Sequence, residues 1–140
     1  MASAGQMTGM RGVYLVAAEL SKQGLIASPT SRSAMGADIL ATDQQCAKAW
    51  SVQVKTNAKT HSFWLLNGKA KETVSPTHIY ALVNIIKRRD GETIEYFVIP
   101  SAVIAQRLVH DKSKAGTSEW WVIYRNKITD YKDRWDLFAQ

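Results

Sequence analysis

The sequence predicts an α/β domain in which helices flank a mixed central β-sheet. An amphipathic helical pattern comes first, β-branched and aromatic segments follow it, and another helical pattern precedes the last strand-like segment. The chain has 140 residues, of which 46% are hydrophobic. This length is enough to bury one core, and two full-size domains are not expected.

The first helix is predicted to start near Gly9. Four apolar residues recur at helical spacing, namely Val13, Val16, Ala17 and Leu20. Gly24 follows as a C-terminal stop, and Glu19 lies beside the apolar stripe, where it should border the core. Residues 1–8 are small and polar, so we expect a flexible N-terminus and a single domain over residues 9–140.

Strand patterns dominate the middle of the chain. We expect strands at 25–28, 37–42, 49–55, 61–66, 79–86, 94–99 and 120–124, and helices at 101–109 and 130–138. The second and third strands should form a hairpin, and Asp90-Gly91 predicts a turn that pairs its flanking strands antiparallel. Ser101 is the candidate cap of its helix. In the third strand Val52 and Val54 share one face, whereas Gln53 and Lys55 point to the other.

Composition narrows the class of protein. There are 18 Lys and Arg against 12 Asp and Glu, which favours a polyanionic partner, with nucleic acid as the first candidate. Cys46 has no second cysteine in the chain, so a disulfide scaffold is excluded and a reducing, cytoplasmic location is expected. The apolar stretches are far shorter than the ~20 residues that cross a bilayer. We therefore expect no membrane span and, from the polar start, no secretory signal.

Common sequence motifs of catalytic and ligand-binding sites are missing from the sequence. There is no Gly-rich phosphate loop, no dinucleotide-binding motif and no paired His or Cys at metal spacing. One constellation remains: Glu19 in the first helix, Asp38 at the start of one strand, and Gln53-Val54-Lys55 in the next. A hairpin can place the start of its first strand beside the end of its second. The oxygens of Asp38, Gln53 and Glu19 suit Mg²⁺ or Mn²⁺, and Lys55 would lie beside the attacking water.

These residues resemble the PD-(D/E)XK nuclease superfamily, which has the restriction-endonuclease-like fold. The matching segments are Glu19, Gly36-Ala37-Asp38-Ile39-Leu40 and Gln53-Val54-Lys55-Thr56. Ala37 replaces the family proline, and Gln53 replaces the acidic residue, as in the Gln-x-Lys form of Mrr-like restriction enzymes. The resemblance implies an αβββαβ core and a magnesium-dependent endonuclease that hydrolyses DNA phosphodiesters. It also implies Asp38, Gln53, Glu19 and Lys55 as the catalytic residues, the first three of them metal ligands.

Other features leave alternatives open. Between Gln44 and Arg89 there are eight basic residues against Glu72 alone, so Lys59, together with Arg32 in an earlier loop, is a candidate contact to DNA. The missing carboxylate at Gln53 fits equally a catalytically inactive DNA-binding module or a protein-interaction module. A homodimer is expected, because cutting both strands of a duplex takes two sites. The late aromatic residues should close the core or a subunit contact; they are Trp120, Trp121, Tyr124, Tyr131, Trp135 and Phe138.

Overall fold

The computed structural model describes residues 1–31 and 36–139. Two α-helices are present in this part of the chain, α1 (Ala4–Lys22) and α2 (Ser101–Arg107). The strands are β1 (Ile26–Pro29), β2 (Ile39–Thr42), β3 (Ala49–Asn57), β4 (Phe63–Leu66), β5 (His78–Arg88), β6 (Gly91–Pro100), β7 (Val109–Lys112) and β8 (Glu119–Tyr124). Short 3-10 helices cover Gly68–Lys71, Arg125–Lys127, Thr129–Tyr131 and Trp135–Ala139.

The strands form two sheets. The larger has the order β1-β2-β3-β5-β6; β3 and β5 run parallel and its other pairs are antiparallel. The smaller sheet is antiparallel, in the order β4-β8-β7. The hairpin of β2 and β3 and the antiparallel pair around Asp90-Gly91 confirm the sequence predictions. The predicted architecture, a mixed central sheet flanked by helices, is therefore confirmed.

Each face of the large sheet carries its own hydrophobic core. On one face α1 packs through Val16 and Leu20 on β3 residues such as Val52. The opposite face meets α2 and the inner side of the small sheet, where Trp64 and Ile123 are buried. Alternation along each strand of the large sheet produces this division. No helix within residues 1–31 and 36–139 is long and apolar enough to span a membrane.

The first helix begins earlier than its apolar spacing predicts. Residues 4–8, expected to be flexible, belong to α1. The Ser3 hydroxyl accepts a hydrogen bond from the Gln6 amide at 3.1 Å, and the Gln6 side chain accepts one from the Ser3 amide at 2.8 Å. This reciprocal capping satisfies helix-end amides that would otherwise lack partners, which explains helical order without apolar periodicity.

Three other local predictions differ from the structure. The N-cap of α2 is Pro100, and the Ser101 hydroxyl instead donates to the Ser75 carbonyl at 2.9 Å, tying the helix to the chain before β5. No α-helix covers residues 130–138; 3-10 turns occupy the segment, and Asp133 interrupts it with a φ of 54°. Strand β7 was not predicted, because the apolar spacing after Ser101 runs on into Val109.

A buried carboxylate joins the large sheet to the segment after β8. Glu95 accepts hydrogen bonds from Arg125 and from Asn84, which is itself fully buried. The Arg125 hydrogen bond is the main cause that lowers the pKa of Glu95 to about 2, against the opposing effect of burial. Asn84 also donates to the His61 carbonyl at 2.9 Å, so the network reaches the loop before β4.

The acid sensitivity of this network is a testable expectation. The folded pKa of Glu95, about 2, lies below its ordinary value of 4.5, so its contribution is complete above 4.5 and is lost as the pH falls towards 2. Over that window the wild type should lose roughly 2 kcal/mol more free energy of unfolding than Glu95→Gln. Urea unfolding of both proteins between these pH values measures the difference; parallel curves would contradict it.

Candidate active site

Asp38 lies where strands β2 and β3 part. Their pairing ends at Ile39 opposite Val52, while β3 continues to Asn57. The Asp38 amide still donates to the Val52 carbonyl at 2.9 Å, and its Oδ2 accepts from the Val54 amide at 2.8 Å. The carboxylate thus takes the place of a missing strand partner. Asp38 is half-buried at this fork, next to the segment that carries Gln53 and Lys55.

Gln53 and Lys55 flank the amide that Asp38 holds. Both are half-buried and alternate with Val52 and Val54, whose side chains enter the core under α1. They therefore point to the other face, where Gln53 is paired in register with Tyr80 and Lys55 with Leu82. Burial raises the pKa of the neighbouring Tyr80. Within the described residues neither the side-chain carboxamide of Gln53 nor the ammonium of Lys55 has a hydrogen-bond or ion-pair partner.

The three side chains open into three neighbouring clefts. Asp38 lines a cleft of about 440 Å³ with Gln6, Met10 and Tyr14 of α1. Lys55 lines one of about 460 Å³ that also contains the first turns of α1. Gln53 lines a third, of about 300 Å³, beside Tyr80 and Lys69. The fork thus brings the three residues together along the backbone, whereas their side chains do not line one common cleft.

Glu19 lies further along α1 than the residues that line the Asp38 cleft. It lies in the last turns of α1, five residues beyond Tyr14 and so about 7 Å further along the helix axis than the Asp38 cleft. Burial raises the pKa of Tyr96 on β6, and the charge of Glu19 is the next cause that raises it. Within the described residues no hydrogen bond or ion pair joins the Glu19 carboxylate to Asp38, Gln53 or Lys55. Its role as a metal ligand stays a prediction.

The structure describes one of the two predicted DNA contacts. Arg32 lies outside the described residues. Lys59 is exposed in the loop between β3 and β4, in the same cleft as Lys55. The cleft also contains Ala4, Gly5 and Thr8, which lie in the segment that the sequence predicts to be flexible. The Ser3-x-x-Gln6 capping pattern was the signal that could have placed them in a helix.

The donor set at the fork is compatible with a divalent cation. Asp38 Oδ1 has no hydrogen-bond partner in the described part of the chain, and neither does the Gln53 carboxamide. Mg²⁺ commonly takes one or two carboxylates and completes its shell with water and substrate phosphate. No group of three or more His, Cys, Asp or Glu side chains that could hold a metal occurs in residues 1–31 and 36–139. Asp38 therefore offers one carboxylate oxygen to such a metal, whereas the Gln53 carboxamide lines a different cleft.

The fold has a counterpart among solved structures. Together with the fork at Asp38, the mixed sheet under α1 defines a restriction-endonuclease-like α/β fold. The chain is similar to Hjc, a Holliday junction resolvase from the archaeal hyperthermophile Archaeoglobus fulgidus, with a TM-score of 0.51 and 16% sequence identity. The alignment covers 86% of each chain. At this identity the likeness shows the fold.

Sequence comparisons add no closer relative. No protein-family model matches the chain. No curated protein matches it either. The Gln-x-Lys variant of the nuclease superfamily thus stays a prediction from the residues themselves.

Proposed function

We propose that this protein is a small metal-dependent nuclease that hydrolyses DNA phosphodiester bonds at the fork between β2 and β3. The observation that supports it most directly is the Asp38 carboxylate on the Val54 amide, between Gln53 and a lysine without a counter-ion. The similar solved structure is described as a Holliday junction resolvase, which agrees with DNA as the substrate class. The net charge of +6 favours the same polyanion.

Each residue at the fork has a separate task in this proposal. Asp38 would hold Mg²⁺ or Mn²⁺ together with Gln53 after the Gln53 side chain rotates towards the fork. The metal, when bound, would neutralise charge on the phosphate. The Lys55 ammonium has no counter-ion within the described residues, so it can face the phosphate and orient the attacking water. The Val54 amide keeps the Asp38 carboxylate at the fork through the 2.8 Å hydrogen bond. Phosphoryl transfer depends mainly on such positioning and charge stabilisation.

The proposed test compares cleavage by variants that keep the fold. Asn can still accept the hydrogen bond from the Val54 amide, so Asp38→Asn removes the charge while preserving the fork. With duplex, branched and single-stranded DNA in Mg²⁺ or Mn²⁺, we expect cleavage by the wild type and at least a 100-fold lower rate for Asp38→Asn. Asp90→Asn, in the turn between β5 and β6, is the matched control and should cleave normally. Equal rates for Asp38→Asn and the wild type would exclude this site.

The same assay decides the role of Glu19. Because Glu19 lies about 7 Å further along α1 than the residues that line the Asp38 cleft, we expect Glu19→Gln to cleave within about twofold of the wild type. A loss as large as that of Asp38→Asn would instead make Glu19 a third metal ligand, as the family resemblance implies.

A catalytically inactive DNA-binding module is the second candidate. The observation that favours it is the fork itself, which has one carboxylate, with one of its oxygens already bound to the Val54 amide. Calorimetry with Mg²⁺ or Mn²⁺ separates the candidates. Saturable binding that Asp38→Asn abolishes supports the nuclease, whereas DNA binding indifferent to metal supports the module.

We also propose a homodimer as the assembly that would cut two strands, since two sites related by a two-fold axis are then available. Some of the late aromatic residues are buried in the structure and others are exposed. Trp135 and Phe138 are buried in the core under α1, whereas Trp120 is 43% exposed. Sedimentation velocity tests the assembly, and a monomer at high protein concentration would contradict it.

A further inference from the structure

The cleft that contains Lys55 is positively charged. It lies between the first turns of α1 and the end of β3, and Lys55 and Lys59 are its only charged lining residues among those described. The first turn of α1 has no acidic residue, so the positive end of the helix dipole adds to the two ammonium groups. A phosphate backbone is the ligand chemistry that suits this cleft.

Hydrogen bonds hold one wall of the cleft in place. The Asn57 side chain donates to the Phe63 carbonyl at 2.5 Å, closing the loop that carries Lys59. His61 Nε2 donates to the Ile85 carbonyl at 3.1 Å, and Asn84 donates to the His61 carbonyl at 2.9 Å. The loop is therefore tied to the central strand β5 at two points. Little ordering of the backbone is needed before a ligand binds.

An apolar surface adjoins this cleft. Period-two alternation in the small sheet sends Trp64 and Ile123 inwards, so Phe63, Leu65 and Tyr124 lie on its outer face. A cleft of about 300 Å³ on this face is lined by Phe63, Leu65, Asp111, Trp120, Val122 and Tyr124. Phe63 and Leu65 also line the Lys55 cleft. The cationic cleft and the aromatic face are consequently one continuous surface.

The charged side chains differ between the two ends of that surface. Phe63 pairs in register with Tyr124, and their ring centroids are 6.4 Å apart with the ring planes at 57°. This pair lies on the strands closest to the lysines. Asp111 lies on β7, the far edge strand, opposite Trp120. Phosphates are thus favoured beside Lys55 and Lys59 at the β4 edge rather than beside Asp111 on the outer face, and two aromatic rings lie between these positions.

We propose that this surface binds an unpaired DNA strand, with phosphates at Lys55 and Lys59 and bases stacked on Phe63 and Tyr124. A positively charged groove beside aromatic side chains is the combination that binds single strands without regard to sequence. A duplex could use only the phosphate cleft, since its bases are already stacked on one another. The inference rests on the proposed nuclease function and specifies its substrate as DNA with an unpaired segment next to the scissile phosphate.

Binding without metal tests the inference independently of cleavage. The probe is a fluorescent 15-nucleotide single strand of mixed sequence, compared by anisotropy in EDTA with a hairpin duplex of similar length. We expect the single strand to bind at least about tenfold more tightly, and Phe63→Leu and Tyr124→Leu each to weaken it about tenfold, as for the loss of one stacked base. Phe63→Tyr retains the ring and should bind like the wild type. Lys59→Gln should reduce the slope of log affinity against log salt by about 0.7.

Controls separate this surface from its alternatives. Ile26→Ala replaces an exposed apolar residue on β1, at the edge of the other sheet, and should not affect binding. Equal affinity for duplex and single strand, or unchanged binding by Phe63→Leu and Tyr124→Leu, overturns the inference. So does a dimer that Trp120→Lys converts to a monomer, since the outer face would then be a subunit contact.

The results distinguish failure of this inference from failure of the proposed nuclease. Asp38-dependent cleavage of duplex without single-strand preference would overturn the unpaired-strand surface and leave the nuclease standing. Single-strand binding that requires Phe63, with no cleavage under any metal, would overturn the nuclease and leave the DNA-binding surface.

Discussion

Lys55→Ala is expected to reduce the DNA cleavage rate by about 100- to 1000-fold, the range found when one preorganised charge or donor is removed from an active site. The side chain is half-buried, and no carboxylate lies within ion-pair distance of it in the part of the chain that the structure describes. A lysine held in this way is not needed to neutralise a structural partner. Its charge is available to a phosphate and to the water that attacks it.

The kinetic form of the effect distinguishes chemistry from binding. Under single-turnover conditions with saturating DNA, the rate constant should fall for Lys55→Ala, and Lys55→Arg should recover only part of it because its broader guanidinium positions charge differently. Lys48→Ala is the matched control, since Lys48 directly precedes β3 whereas Lys55 lies near the other end of the strand. A fall in affinity with an unchanged saturating rate would restrict Lys55 to DNA binding.

The central hairpins could be predicted because their signals are local. Strict alternation around Val52 and Val54, with one face entirely apolar, fixes both the strand and the orientation of Gln53 and Lys55. Asp90-Gly91 likewise has a backbone preference of its own. The mixed sheet follows from these pairs, together with the parallel pairing of β3 with β5.

Local patterns were less informative where tertiary contacts decide the structure. Apolar residues near helical spacing at 130–138 form 3-10 turns, since Asp133 has a positive φ and its amide donates to the Tyr96 carbonyl at 2.9 Å. Glu19 borders the apolar stripe as expected, but helix position alone could not show that the Asp38 cleft is lined by residues nearer the start of α1, such as Gln6 and Met10. Which face of a helix meets which strand depends on how the two elements cross, and apolar periodicity does not encode that.

The crossing of α1 over β3 depends on Gly12. A Cβ added there would lie 1.7 Å from Thr56 Oγ1 and 2.8 Å from Thr56 Cβ, far inside van der Waals contact. Thr56 is the residue after Lys55, so this close approach sets the helix against the strand that carries the site. The Thr56 Oγ1 is buried and has no hydrogen-bond partner among the described residues. No hydrogen bond of this hydroxyl therefore offsets the cost if Thr56 has to move.

Gly12→Ala is therefore expected to lower the free energy of unfolding by about 1–2 kcal/mol, because an overpacking cost of ~2–3 kcal/mol exceeds the ~1 kcal/mol gained in helix propensity. Gly9→Ala is the control in the same helix: a Cβ there meets nothing within 4 Å, so it should be neutral or slightly stabilising. Urea unfolding measures both. Thr56→Ala removes Oγ1 and should recover part of the loss in the double variant, since the Thr56 Cβ contact remains. A Gly12→Ala protein as stable as Gly9→Ala would show that α1 can move away from β3 without cost.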